Sequence, residues 1–218
     1  MKEINLLKAL PNAKRNVQVR KEGKSADVIS IAKQFGEMYF DGPREFGYGG
    51  YRYDGRWIPV ANDMVEHFDL KPGDRVLDVG CAKGFLVRDL MHVCPGLEVF
   101  GLDLSTYALK HCHPDVVGRL HLGSADELPF PDHCFDAVIS INTIHNFKRD
   151  GVAKALDEIQ RVSKGKSFVQ VDSYHTEEQK KLFEEWVLTA EFHDYPDEWI
   201  KLFNTTGYTG DYYWTVLE

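Results

Sequence analysis

No apolar run in this sequence approaches the roughly 18 residues that a membrane-spanning helix needs, and no apolar stretch after Met1 reads as a signal peptide. Positive charge is not in excess: 26 Lys and Arg stand against 34 Asp and Glu, a formal charge of −8. There is no long basic run, and a docked phosphate backbone is held by clustered cations, so nucleic acid is set aside as a partner. Cysteine is scarce. Cys81, Cys94, Cys112 and Cys134 include no C-x-x-C pair, which argues against a disulfide framework and for a reducing cytoplasm. "HCHP" at 111–114 bunches potential ligands, but on a helix end far from the expected site, so no metal is expected. Repeats and low-complexity segments are absent too. What remains is a soluble, cytoplasmic chain of 218 residues, long enough to bury one large core without staples.

From about residue 74 short β-rich runs alternate with stretches of helical period. "RVLDVG" (75–80), "EVFGLDLS" (98–105), "RLHLGSA" (119–125), "CFDAVISI" (134–141) and "KSFVQVD" (166–172) read as strands, and "DYYWTVLE" as a last one. Between them "GFLVRDLMHV", "DGVAKALDEIQRVSKG", "EEQKKLFEEWVLTA" and "DEWIKLFNTTG" carry apolar residues on one helical face, and Ser105 is placed to cap a further helix. Apolar strands alternating with amphipathic helices predict an α/β fold with a doubly wound, mostly parallel sheet. Residues 1–70 differ: "ADVISIAKQFGEMYF" and "PVANDMVEHFDL" have helical periodicity and flank the aromatic, glycine-rich "FGYGGYRYDGRW". They read as a helical N-terminal cap on a core of residues 71–218. The basic residues near the N-terminus, Lys2, Lys8, Lys14, Arg15, Arg20, Lys21 and Lys24, read as a solvated segment.

Ligands of doubly wound sheets bind at the carboxyl ends of the strands. Strand one ends in "DVGCAKG" (78–84). Starting at Gly80, the dinucleotide fingerprint G-x-G-x-x-G would need glycine where Ala82 and Phe85 stand, and the P-loop pattern is absent as well. The stretch fits D-x-G-x-[GA]-x-G instead, with Asp78, Gly80, Ala82 and Gly84. An acidic residue inside the turn sets like charges together beside a pyrophosphate, but suits a ligand carrying an ammonium or a sulfonium. Asp103 closes strand two in "FGLDLS", where a carboxylate can accept hydrogen bonds from two ribose hydroxyls.

With these residues the chain resembles the class I S-adenosylmethionine-dependent methyltransferases. "GSADELPFPDHCFDAVIS" (123–140) is similar to later motifs of the quinone-biosynthesis branch of that family. The resemblance covers roughly residues 70–172 and implies a Rossmann-like core with a terminal antiparallel strand. It implies S-adenosylmethionine as cofactor and S-adenosylhomocysteine as product. Gly80, Ala82 and Gly84 would let the backbone pass the methionine part, with Asp78 at its amino end. Asp103 and Leu104 would border the ribose, and Ala125 and Asp126 the adenine. Ala82 departs from the glycine usual at its position.

The acceptor is expected beyond strands four and five. Asn142, at the end of "SINTIHNF", is placed for cofactor or acceptor. His145 reads equally as a general base or as a capping histidine. Asp172, Tyr174 and His175 in "VDSYH" reach the same edge; Asp172 and His175 are candidates for proton removal, and Tyr174 for acceptor contact. The [ND]-P-P-[YF] tetrapeptide that grips planar amino groups is missing, and no carboxylate ends strand four to hold magnesium. Tyr48, Tyr51, Tyr53 and Trp57 are dense for a connecting loop, with glycines that permit close backbone approach. They read either as a lid, with Tyr48 on the sulfonium and Tyr51 and Arg52 on the acceptor, or as a hairpin sealing the cap. Arg44, Arg52 and Arg56 are candidates for an anionic acceptor. The expected activity is methyl transfer to an O or N atom of a small-molecule metabolite. A protein or peptide acceptor and a non-catalytic S-adenosylmethionine-binding module are the alternatives, and homo-oligomerisation is left open.

Overall fold

The apolar runs at 75–79, 137–141 and 167–172 are buried for the same reason: both faces of the sheet are covered by helices. The computed structural model describes residues 1–11 and 15–217. Its strands are β1 (Arg75–Val79), β2 (Glu98–Asp103), β3 (Leu120–Leu122), β4 (Ala137–Ile141), β5 (Ser167–Asp172) and β6 (Asp211–Thr215). They form one sheet in the order β3-β2-β1-β4-β5-β6, and every pairing is parallel. The order reverses between β1 and β4, which opens a crevice at their carboxyl ends.

The described helices are α1 (Val17–Gly23), α2 (Ala26–Ala32), α3 (Glu37–Phe40), α4 (Ile58–His67), α5 (Phe85–Val93), α6 (Thr106–Lys110), α7 (Arg149–Val162), α8 (Glu177–Trp186) and α9 (Pro196–Thr205). On one face of the sheet, Val60 and Met64 of α4 and Val87 and Leu90 of α5 pack on Val76, Ile139 and Phe168. On the other, Val152, Leu156 and Ile159 of α7 and Trp199 and Phe203 of α9 pack on Leu77, Val138 and Val171. Successive strand residues thus serve opposite layers. No described helix is long and apolar enough to cross a membrane.

The terminal strand departs from expectation. The family pattern implies an antiparallel strand at this end, whereas β6 runs parallel to β5, with Phe168 opposite Asp211 and Asp172 opposite Thr215. Between them the chain builds α8 and α9, a crossover that returns it to the end from which β5 started; an antiparallel neighbour would follow from a tight hairpin instead. Beyond β6, Glu3 bridges Tyr212 in parallel, with the Ile4 N–H donating to the Tyr212 carbonyl at 2.9 Å.

The helical reading of "ADVISIAKQFGEMYF" resolves into α2 and α3, separated at Phe35, whose φ is +47°. The helix expected over 177–190 ends at Trp186, because Val187 turns extended. The basic N-terminal residues are not simply solvated. Arg20 is buried, donates to the Glu45 carbonyl at 2.7 Å and lies 4.8 Å over the Trp186 ring. Lys21 meets Glu185 at 2.7 Å, so α1 is docked on α8. Lys14 lies outside the described residues.

Candidate functional site

The turn after β1 takes three residues into the left-handed region: Gly80 at φ +84°, Ala82 at +50° and Gly84 at +74°. At Gly80 a side chain has no room, since a Cβ would stand 1.9 Å from Thr143 Oγ1 at the end of the neighbouring β4. Gly84 caps α5 and faces Val116, not the crevice. Ala82 adopts a conformation that costs an L-residue about 1–2 kcal/mol. It is held there by Asp103, whose Oδ2 accepts the Ala82 N–H at 2.7 Å, while Oδ1 accepts the Ser105 N–H at 2.8 Å. Charge-assisted bonds of this kind offset the strain. Asp103 therefore shapes the turn before it meets any ligand. Burial raises its pKa, opposed by the N–H groups of Ser105, Ala82 and Leu104.

Asp78 is buried and accepts no hydrogen bond from the described residues. Burial first, and the neighbouring Asp103 second, push its pKa up to about 7. A buried carboxyl left in this state is a receptor for a cationic group, whose arrival would restore its charge.

Two cavities meet over the turn. The smaller, about 110 Å³, is lined by Gly80, Ala82, Asp103, Leu104, Ala125, Asn142 and Tyr48 among the expected residues, and by Phe35, Tyr39, Thr143 and Asn146, which the sequence pattern did not single out. The larger, about 720 Å³, is lined by Asp78, Tyr51 and Arg52, and also by Asn5, Leu7, Lys8, Leu10 and Arg15 from the N-terminal segment. Tyr48, Gly80, Ala82, Ile141 and Asn142 belong to both. Asn142, at φ +53°, is a strained residue at that junction. Asp126 lines neither cavity and takes the Ser124 hydroxyl.

An aromatic wall closes the junction from the cap side. Tyr48 packs 4.6 Å from Tyr51, and Tyr51 stacks on Phe85 at 4.8 Å. The wall is tied down by Lys83, buried in the turn itself. Its Nζ donates to both oxygens of Asp41, at 2.8 and 2.6 Å, and to the Tyr51 carbonyl at 3.0 Å. Tyr107 adds a donor to Asp41 at 2.8 Å. Lysine inside a glycine turn carries no pattern signal, and the sequence reading missed it. The ring of Tyr39 packs edge-on against Tyr48 at 5.2 Å. Burial raises the pKa of Tyr39 and Tyr51, so these phenols are hydrogen-bond donors at neutral pH and not bases.

The arginines divide. Arg44 donates to the Gly47 carbonyl and lies over Trp186 at 5.3 Å. Arg56 is engaged by Asp54, with Nη2 to Oδ2 at 2.5 Å. Arg52 has no ion-pair partner among the described residues.

His145 sits in a 3₁₀ turn, Ile144–Asn146, and is buried. The Asp172 N–H donates to its Nδ1 at 3.2 Å, and an Asp172 carboxylate oxygen lies 3.4 Å from the same atom. Burial raises the Asp172 pKa, while His145 and Arg15 lower it. The structure thus brings His145 and Asp172 together, but neither lines the two cavities. Asp172 does not cap α8; Thr176 does. Tyr174 is buried against Phe183 and Tyr195, and His175 is exposed, its N–H on Gln179. Both lie outside the cavities because the chain after β5 turns away from the crevice into α8.

Residues 77–170 match the model of the methyltransferase domain family. The chain is 34% identical over 118 residues to a demethylmenaquinone methyltransferase of Symbiobacterium thermophilum, covering 50% of this chain and 46% of that one. It is 33% identical over 170 residues to a sterol 24-C-methyltransferase of Gibberella zeae, covering 70% of this chain and 43% of that one. The chain spans about half the length, or less, of the curated relatives it matches. Among solved structures it resembles a protein of Anabaena variabilis ascribed to an antibiotic biosynthesis pathway as a methyltransferase. That match has a TM-score of 0.53 and 25% identity, over 68% of this chain and 60% of that one.

Proposed function

We propose, from the premise that this chain belongs to the class I S-adenosylmethionine-dependent methyltransferases, that it methylates an O or N atom of a small-molecule metabolite. The observation that carries the reading is the junction of the two cavities over the Gly80 turn, with an unpartnered buried carboxyl, Asp78, lining the larger of them. The residues present fit the cofactor. Asp78 suits an ammonium, and Asp103 lines the smaller cavity and keeps acceptor capacity beyond its two backbone bonds. When bound, S-adenosylmethionine supplies a methyl group on a sulfonium, and S-adenosylhomocysteine is the product.

What the chain contributes is alignment, exclusion of water and a path for a proton. The smaller cavity would take the adenosine side and the larger the acceptor, with Tyr48, Asn142 and Tyr51 around the transferred group. Residues 1–70 would act as the cap that supplies this aromatic wall. Where the acceptor atom carries a proton, the His145–Asp172 pair takes it. Tyr39, which lines the smaller cavity, lies near enough to Asp172 to feel its charge.

The test incubates the protein with methyl-labelled S-adenosylmethionine and a fractionated cell extract. Label is expected in the small-molecule fraction. Label confined to protein, or absent while S-adenosylhomocysteine still binds, overturns the reading. With the labelled metabolite in hand, His145→Ala and Asp172→Ala should retain binding and slow turnover about 100-fold, the size of general-base assistance; full rates in both would remove the pair from the mechanism.

A further inference from the structure

The larger cavity has a charge pattern that the methyl transfer itself does not require. Six charged side chains line it: Lys8, Arg15, Arg52 and Arg56 against Asp54 and Asp78. Two of the cations have partners. Arg56 is held by Asp54 at 2.5 Å, and Lys8 lies 3.4 Å from Asp63. Asp78 is matched once a cofactor ammonium is in place. Arg15 and Arg52 are left, and neither has an ion-pair partner within 4.0 Å among the described residues. Asp172, which acts electrostatically on Arg15, has its own partner in His145 at 3.4 Å. Elsewhere the wall mixes the apolar and aromatic Leu7, Leu10, Trp57, Ile141, Tyr213 and Val216 with the polar Asn5, Asn142 and Thr215.

We infer that the acceptor is an amphipathic oxyanion, a carboxylate or a phosphate ester on an apolar or aromatic body, whose charged end is held by Arg15 and Arg52. The inference rests on the methyltransferase reading and adds to it the chemical class of the acceptor. Guanidinium groups pair with carboxylate and phosphate through two parallel N–H donors, which an amide of the same shape cannot match in charge. The arginines come from segments far apart in sequence, one ahead of α1 and one in the aromatic wall, and both line this one cavity.

The probes are benzoate and phenyl phosphate, with benzamide as the uncharged counterpart, titrated calorimetrically into the protein saturated with S-adenosylhomocysteine. Benzoate or phenyl phosphate should bind at least about tenfold more tightly than benzamide, and added salt should weaken that binding. Whichever of the two binds more tightly identifies carboxylate or phosphate as the group read. Arg15→Gln and Arg52→Gln alter exposed residues outside the core. Each should weaken the oxyanion about tenfold, the size of one charge-assisted hydrogen bond, and leave S-adenosylhomocysteine affinity unchanged. Arg52→Lys should recover only part of the loss. Equal binding of benzamide, no binding of either oxyanion to the loaded protein, or oxyanion binding indifferent to both substitutions overturns the inference. Failure of S-adenosylhomocysteine itself to bind the unaltered protein overturns the cofactor reading instead.

Discussion

Asp78 sits buried near the end of β1 with no donor among the described residues, and its pKa stands at about 7 in place of the ordinary 3.8. Burial is the larger cause, and the carboxylate of Asp103 the smaller. Because folding raises this pKa, the folded state prefers the proton. The contribution of Asp78 to stability is intact below about pH 4, declines as pH rises to about 7, and is then constant as a penalty. At about 1.4 kcal/mol per pH unit, the penalty above pH 7 amounts to about 4 kcal/mol at most. Asp78→Asn keeps the shape and removes the titration. Without ligand, the variant should be the more stable protein at about pH 8, and the difference should close toward about pH 4. A ligand ammonium needs the ionised carboxylate, so S-adenosylhomocysteine affinity should be about tenfold weaker at about pH 6 than at about pH 8. In the variant that pH dependence should vanish, and affinity at the higher pH should fall. Urea unfolding across the pH range and calorimetric titration at both pH values measure the two effects, and the difference between the proteins isolates Asp78 from nearby histidines. Affinity independent of pH in the unaltered protein, or an asparagine variant less stable at about pH 8, would refute the reasoning.

Gly80→Ala places a methyl 1.9 Å from Thr143 Oγ1 at a φ of +84°, so the loss should be about 3 kcal/mol in urea unfolding, joining backbone strain to overpacking; stability within about 1 kcal/mol of the parent would show that the strands can separate there. Lys83→Met removes the cation that links the turn to Asp41 and the Tyr51 carbonyl. The pair is half-buried on the Asp41 side, so the expected loss is about 2 kcal/mol, smaller than for a fully buried pair. Calorimetry should show weaker S-adenosylhomocysteine binding as well, because Tyr51 loses its anchor; unchanged affinity would mean that aromatic stacking alone holds the wall.

Sequence alone singled out residues of the strand-end turns that line the crevice, and the reason is physical. Their determinants are local: a parallel strand buried on both faces is a continuous apolar run, the turn after it needs residues at positive φ, and the acidic ends of β1 and β2 follow at fixed offsets. Asp78, Gly80, Ala82, Asp103, Leu104, Ala125 and Asn142 accordingly line the two cavities. Gly84 and Asp126 share the same motifs but serve the backbone and a neighbouring serine. A motif gives the path of the chain, not the direction of every side chain along it. The orientation of β6 was illegible for a related reason, because a short aromatic run pairs equally well in either direction until the crossover before it is known.

The larger cavity is illegible in the sequence because no single segment builds it. Residues 5–11 and Arg15, the aromatic stretch at 48–57, the turn after β1, and 213–216 each contribute part of one wall. The pairing of Glu3 with Tyr212, the Asn5 amide on Tyr213 and the packing of α1 on α8 bring the first of these to the crevice. The same assembly explains why three arginines of similar standing in the sequence, Arg44, Arg52 and Arg56, end in different roles. A carbonyl and an indole hold the first, a nearby aspartate holds the third, and Arg52 lines the cavity with no ion-pair partner among the described residues. Substrate choice in such a fold is therefore carried by the segments around the sheet. Exchanging residues 1–15 or 48–57 should change which acceptor is taken, while the Gly80 turn continues to hold the same cofactor.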